Sequence, residues 1–131
     1  MAAPKKKTKT KKPTKRPAKK PVKKTLSLRR SRLNPIIDPA PNSNWESEAV
    51  FNPGAVISNG RVHLFYRALG PDGISRVGYA SSKDGLHFEN REKFIEPTEE
   101  WEKFGCEDPR VTFFEGRYYI FYTALSVYPF A

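Results

Sequence analysis

Two stretches of this chain repeat each other: residues 52–68 read NPGAVISNGRVHLFYRA and residues 108–124 read DPRVTFFEGRYYIFYTA. The offset is 56 residues without a gap, and six of the 17 aligned positions are identical. Each copy contains a proline, a strand-forming run, an x-Gly turn and a second strand-forming run. Hairpins that recur at a fixed period of this length are typical of the blades of a β-propeller.

The remainder of the chain also favours β-structure. Strand-forming runs and turn dipeptides alternate, and no stretch keeps a helical period for long enough to predict a helix. We therefore predict an all-β fold. Beyond the start of the repeat, strands are expected at residues 62–68, 76–80, 86–89, 111–114 and 117–124, separated by turns at Asn59-Gly60, Asp72-Gly73, Asp84-Gly85 and Glu115-Gly116.

The geometry of a blade predicts where the polar residues of the repeat lie. Blades pack face to face, so both faces are buried, which agrees with the apolar runs VHLFY and YYIFY. The innermost strand of each blade lines the central axis. Asp108, just before such a strand, is expected at one mouth of this axis, and Asn52 at the equivalent place one blade earlier. The two side chains should converge on one concave site.

Charge divides the chain into two parts. Residues 1–24 hold twelve of the 24 basic residues and none of the 14 acidic ones, so the remainder is close to neutral. This excludes a basic DNA-binding fold, which needs its charge on the folded surface. We predict a disordered Lys/Pro-rich tail at residues 1–26 and a propeller part at residues 27–131. The tail is either a weak polyanion-binding arm or an incidental solubilising extension.

Other classes of protein are excluded by simple counts. Cys106 is the single cysteine, which rules out a disulfide framework and a multi-cysteine metal site. No apolar run approaches the roughly 20 residues that cross a bilayer, and no apolar segment follows the basic N-terminus. We expect a cytoplasmic protein without a membrane partner. A period of 56 residues fits barely two blades, so we expect a fragment of a longer protein or an assembly, with a homo-oligomer left open.

Several motifs together resemble glycoside hydrolase family 130, the β-mannoside phosphorylases and related mannosidases. The family has a five-bladed propeller, of which about the first two blades would be present here. The Lys-rich tail is not part of the family pattern. The resemblance rests on Asn34-Pro35-Ile36-Ile37, Trp45-Glu46-Ser47, Val50-Phe51-Asn52-Pro53-Gly54, Tyr66-Arg67-Ala68, Ser75-Arg76-Val77-Gly78-Tyr79-Ala80, Ser82-Lys83-Asp84-Gly85 and Gly105-Cys106-Glu107-Asp108-Pro109-Arg110.

The resemblance implies a reaction and roles for site residues. Asp108 maps onto the general acid, and inorganic phosphate would attack the anomeric carbon of a β-mannoside with inversion. Expected substrates are β-1,4-mannosyl-glucose or manno-oligosaccharides, and the products are α-mannose 1-phosphate and a shortened sugar. Asn52 and Arg67 map onto mannose-binding residues, while Arg76 and Arg110 are weaker candidates for holding sugar or phosphate. No metal or other cofactor is implied, and phosphate is the co-substrate.

Alternatives remain open at this point. Hydrolysis by a β-mannosidase on the same fold is one, and an inactive fragment with a polyanion-binding tail is another. Asp108 could be a simple turn residue, Arg67 a partner in an ion pair between blades, and Glu107 a second acid or a salt-bridged residue at the rim. The repeat places Asn52 rather than a second carboxylate opposite Asp108, which favours phosphorolysis because phosphate arrives already ionised.

Overall fold

A computed structural model describes residues 26–127 of the chain. Within that range it is all-β, as predicted, with a single 3₁₀ turn at Glu100–Glu102. No helix of the described part is long and apolar enough to cross a membrane. The predicted tail lies outside the described residues except for Leu26. The strands are β1 (Ala49–Ser58), β2 (Arg61–Leu69), β3 (Ser75–Ser82), β4 (Glu89–Ile95), β5 (Gly105–Phe114) and β6 (Arg117–Leu125).

The strands form a four-stranded antiparallel meander followed by a hairpin. β1 to β4 pair in chain order, which is the arrangement of one propeller blade. β5 and β6 pair antiparallel and are joined to the meander through one parallel bridge, between Ser75 and Gly105. The two copies of the sequence repeat therefore form equivalent hairpins, β1–β2 and β5–β6.

The two hairpins close with the same kind of turn. Asn59-Gly60 and Glu115-Gly116 each connect their strands through two residues, and all four residues have positive φ, between 47° and 78°. This is the two-residue turn with left-handed central residues that matches the twist of paired strands. Both turns predicted at these x-Gly dipeptides are therefore confirmed, and they set the register of the two hairpins.

The second hairpin stacks on one face of the meander. Phe65 and Val77 of the meander and Cys106 of β5 form one buried cluster, against which Val111 and Ile120 pack. Burying these side chains is the main favourable contribution to joining the two units. This packing holds β1 beside β5 and brings the two copies of the repeat together.

The opposite face of the meander is covered by the segment that precedes β1. Trp45 stacks on Tyr66 with ring centroids 6.4 Å apart. The buried Tyr66 hydroxyl donates a hydrogen bond of 2.8 Å to Glu46, which is also paired with Arg91. The buried Glu46 carboxylate is thus paired with a buried hydroxyl and a half-buried guanidinium group, as burial of a charge requires.

Two expectations from the sequence need correction. In β2 the consecutive residues Leu64, Phe65 and Tyr66 are buried, so both faces of this strand are covered as predicted. The aromatic residues of β6, by contrast, are largely exposed. The reason is that only one face of the second hairpin has a neighbour among residues 26–127. A strand predicted at residues 86–89 is instead a turn followed by β4. The Asp84 carboxylate accepts hydrogen bonds from the backbone N–H groups of Leu86 and His87, which holds the chain in the turn.

Candidate active site

Equivalent β-bulges present Asn52 and Asp108. In β1 the pairing with β2 shifts between Phe51 and Gly54, and in β5 the pairing with β6 shifts between Glu107 and Arg110. In each strand an Asn-Pro or Asp-Pro dipeptide therefore occupies the bulge, which interrupts the ladder and redirects a side chain. Asp108 accordingly lies inside β5, not just before a strand as the sequence suggested.

Both bulged residues have left-handed backbone conformations. φ is 47° at Asn52 and 51° at Asp108. Apart from glycine, Asn and Asp are the residues that enter this region most readily, because their short polar side chains make local hydrogen bonds. Strained backbone of this kind clusters at functional sites. The repeat thus preserves a conformation that a simple strand would not need.

The bulges bring the two side chains into contact. Asn52 Nδ2 donates a hydrogen bond of 2.8 Å to Asp108 Oδ1 across the two hairpins. The Asp108 side chain is 38% exposed, so a ligand can reach it. The predicted convergence of these residues is confirmed by this contact, whereas their roles toward a substrate stay predictions.

Arg67 stands beside this pair and is fixed by three neighbours. Its guanidinium group lies over the Phe51 ring at 4.7 Å, donates to Ser75 Oγ at 2.9 Å and forms an ion pair with Glu107. Its Nη1 atom is 3.8 Å from Asp108 Oδ1. The ion pair between blades that the sequence left open is therefore present, and it also positions Arg67 at the Asn52–Asp108 pair.

The other two predicted arginines are placed differently. Arg76 is held by Asp72 in the β2–β3 turn, with contacts of 2.7 and 3.1 Å, and this pairing lowers the pKa of the Asp72 carboxyl. Its described hydrogen bonds therefore serve the turn. Arg110 donates to the Pro109 carbonyl at 2.8 Å and lies 3.5 Å from the Asn52 carbonyl, which places it at the bulges. Arg110 is thus closer to the site than Arg76.

Phe51 and Ser75 also contact Arg67, and neither was predicted from the sequence as its neighbour. The repeat contained a signal for one of them: extending the alignment by one residue pairs Phe51 with Glu107, and both contact Arg67. Phe51 pairs across the hairpin with Arg67, and Glu107 pairs with Thr123. Arg67 and Thr123 themselves occupy equivalent positions of the repeat. Ser75, which opens β3, gave no such signal.

Cys106 lies next to Glu107 but is fully buried. Burial raises the pKa of its thiol to about 12, with a further contribution from the charge of Glu102. Because the thiolate is the nucleophile, a raised pKa leaves very little reactive form at neutral pH. We predict that iodoacetamide at pH 8 labels Cys106 only after unfolding in urea, as measured by intact mass. Rapid labelling of the native protein at pH 8 would contradict this assignment.

Comparison with known proteins identifies relatives of the chain. A family model described as glycoside hydrolase 130, β-1,4-mannooligosaccharide phosphorylase, matches residues 9–130, so the match extends into the Lys-rich tail that was expected to lie outside the family pattern. A 1,2-β-oligomannan phosphorylase from Thermoanaerobacter sp. (strain X514) is 42% identical over 109 residues, covering 77% of this chain and 37% of the relative. A β-1,2-mannobiose phosphorylase from the same strain is 37% identical over 116 residues, covering 76% and 37%. The chain thus spans little more than a third of these relatives' length.

Solved structures agree with this match. One was described with the finding that the GH130 family of mannoside phosphorylases contains glycoside hydrolases that target β-1,2 mannosidic linkages in Candida mannan. It is 34% identical and superposes with a TM-score of 0.67, covering 74% of this chain and 34% of that one. Such neighbours are propeller-type structures. The predicted fold class, part of an all-β propeller, is therefore confirmed.

Proposed function

Because this chain belongs to glycoside hydrolase family 130, we propose that the protein cleaves β-mannosides by inverting phosphorolysis, with Asp108 as the proton donor. The observation that carries the proposal is the hydrogen bond between Asn52 and Asp108 at two equivalent, strained bulges. This contact places one accessible carboxyl group beside an amide and a guanidinium group. Such a set can protonate a leaving oxygen and hold sugar hydroxyls.

Asn52, Arg67 and Asp108 have separate roles in the proposed reaction. Asn52 and Arg67 bind the mannosyl unit and orient it toward Asp108. Both contacts to Asp108 involve Oδ1, so the proposed proton transfer uses Oδ2, through a mannose hydroxyl to the leaving oxygen. Phosphate attacks the opposite face of the anomeric carbon, giving α-mannose 1-phosphate and a sugar shortened by one unit. No metal or organic cofactor enters this scheme.

Phosphorolysis is placed ahead of hydrolysis because both curated relatives are named phosphorylases, and because the carboxylate next to Asp108 already has partners. An inverting hydrolase needs a carboxylate roughly 6.5–9.5 Å from the acid to activate water. Glu107 adjoins Asp108 but is ion-paired with Arg67 and accepts a hydrogen bond from Ser75, so it is not available as that base. Hydrolysis is kept as the second candidate because a solved relative was described together with glycoside hydrolases of this family.

The proposal also specifies the type of β-mannosidic linkage that is cleaved. Both curated relatives carry names that specify β-1,2-mannosides, whereas the family description specifies β-1,4-mannooligosaccharides. The relatives are matched residue by residue at 42% and 37% identity, so we propose β-1,2-mannobiose and its oligomers ahead of the β-1,4 substrates that the family resemblance implied.

The test is to incubate the purified protein with β-1,2-mannobiose or β-1,4-mannobiose, each with and without inorganic phosphate. We expect α-mannose 1-phosphate, detected by ³¹P NMR, from the β-1,2 substrate and only when phosphate is present. Release of free mannose at the same rate without phosphate would assign hydrolysis instead. Cleavage of neither disaccharide under any condition would contradict the proposed function.

A further inference from the structure

We infer that Glu107, together with Ser75, is a positioning residue that holds the Arg67 guanidinium group beside the Asn52–Asp108 pair. The inference rests on the proposed function, because it concerns the same site. It gives Glu107 a role other than the proton transfer that a second carboxylate would perform.

A closed ring of contacts carries the inference. Arg67 Nε donates to Ser75 Oγ at 2.9 Å, and Ser75 Oγ donates to Glu107 Oε1 at 2.9 Å. The ion pair between Arg67 Nη2 and Glu107 Oε1 completes the ring. Since a guanidinium group is planar with donors in fixed directions, the hydrogen bond to Ser75, the ion pair with Glu107 and the Phe51 ring leave it little freedom to rotate.

Burial makes this arrangement more than a surface ion pair. Ser75 is 1% exposed, and the Glu107 side chain is 14% exposed, against 38% for Asp108. Exposed ion pairs contribute little because water and salt screen them. Here Glu107 is largely shielded and the Arg67 side chain is 22% exposed, so water screens their attraction less than at an exposed pair, while Asp108 is left for the ligand.

The three members come from three strands. Arg67 lies near the end of β2, Ser75 opens β3, and Glu107 lies in β5, one residue before Asp108. The ring therefore ties Arg67 to the strand that carries the proposed acid. Without the Glu107 charge, the nearest carboxylate to Arg67 would be Asp108, now 3.8 Å from Nη1. We expect Arg67 to close on Asp108 and to leave the mannose-binding position.

The kinetic test compares Glu107→Gln and Ser75→Ala with Glu92→Gln, a matched change on the exposed face of β4. Loss of a charge-assisted hydrogen bond should raise KM for β-1,2-mannobiose about tenfold in both site variants and leave the control unchanged. We expect Glu107→Gln to retain more affinity than Glu107→Ala, because the amide oxygen still accepts. A merely structural role would lower kcat with the folded fraction and leave KM unchanged, which would overturn the inference.

A second readout does not depend on activity. In the full chain, the hydrogen-bonded Arg67 Nε–H should give a slowly exchanging ¹⁵N–¹H signal, assigned by its loss in Arg67→Lys. We expect Ser75→Ala and Glu107→Gln to abolish or broaden that signal and Glu92→Gln to keep it. An unchanged signal in both site variants would refute the positioning role. If wild-type protein cleaves no mannoside but the signal behaves as expected, the proposed function fails while the geometry of Arg67 stands.

Discussion

Replacing Asp108 by asparagine is expected to lower kcat/KM for the proposed β-mannoside phosphorolysis by about 10²–10⁴-fold, the contribution typical of a general acid. The substituted amide has the same shape but cannot supply the proton. It also tolerates the left-handed conformation at φ 51°, since Asn enters this region as readily as Asp. The folded structure should therefore persist.

The measurement pairs steady-state kinetics with thermal unfolding. Asp38→Asn, the same chemical change at an exposed position, is the matched control and should retain wild-type rates. The asparagine keeps an oxygen that accepts the hydrogen bond from Asn52 and tolerates the left-handed backbone, so we expect the stability to change by about 0.5 kcal/mol or less and the melting temperature by less than about 4 °C. A rate close to wild type in this variant would refute Asp108 as the proton donor, and a large fall in melting temperature would assign it to the fold.

Replacing Gly54 by alanine is expected to lower the free energy of unfolding by about 1–3 kcal/mol, the usual cost of overpacking. A Cβ atom at this position would lie 2.8 Å from the Pro109 carbonyl oxygen and 3.2 Å from backbone atoms of Arg110 and Val111. These are backbone contacts, so β1 and β5 would have to separate. The separation should also lengthen the 2.8 Å hydrogen bond between Asn52 and Asp108.

Gly78→Ala provides the matched control for this effect. A Cβ atom there would lie 2.5 Å from the Tyr66 ring, on the meander and not at the contact between β1 and β5. Urea unfolding should show both variants destabilised, whereas KM for β-1,2-mannobiose should rise only in Gly54→Ala. Wild-type stability in Gly54→Ala, or an equal rise of KM in both variants, would contradict a close approach of the strands at the site.

Much of the fold could be predicted from local sequence. The two x-Gly turns and the alternating strands follow from preferences that act over a few residues, and the 56-residue repeat extends them to a pair of equivalent hairpins. That Asn52 and Asp108 meet could be predicted from the repeat and the geometry of a blade. The strand predicted from local preference at residues 86–89 was wrong. There the Asp84 side chain accepts hydrogen bonds from backbone N–H groups that a strand would use for pairing, so β4 begins only at Glu89.

The candidate site could be predicted only in part. The repeat identified the residues that meet, but not the bulges that place Asp108 inside β5, because a bulge depends on pairing with the neighbouring strand. Arg76 matched the motif of the family, yet its described contacts serve the β2–β3 turn, since Asp72 lies four residues away.

By itself the sequence determined the all-β class, the two hairpins and the equivalence of Asn52 with Asp108, because turn geometry and strand preference act within each hairpin and the repeat relates the two. Only the tertiary structure decided how the hairpins face each other. That stacking brings Glu107 to Arg67 and the β5 backbone to Gly54. The physical reason is that such contacts depend on the distance and rotation between two packed sheets, which are set by the fit of buried side chains and not by any local period.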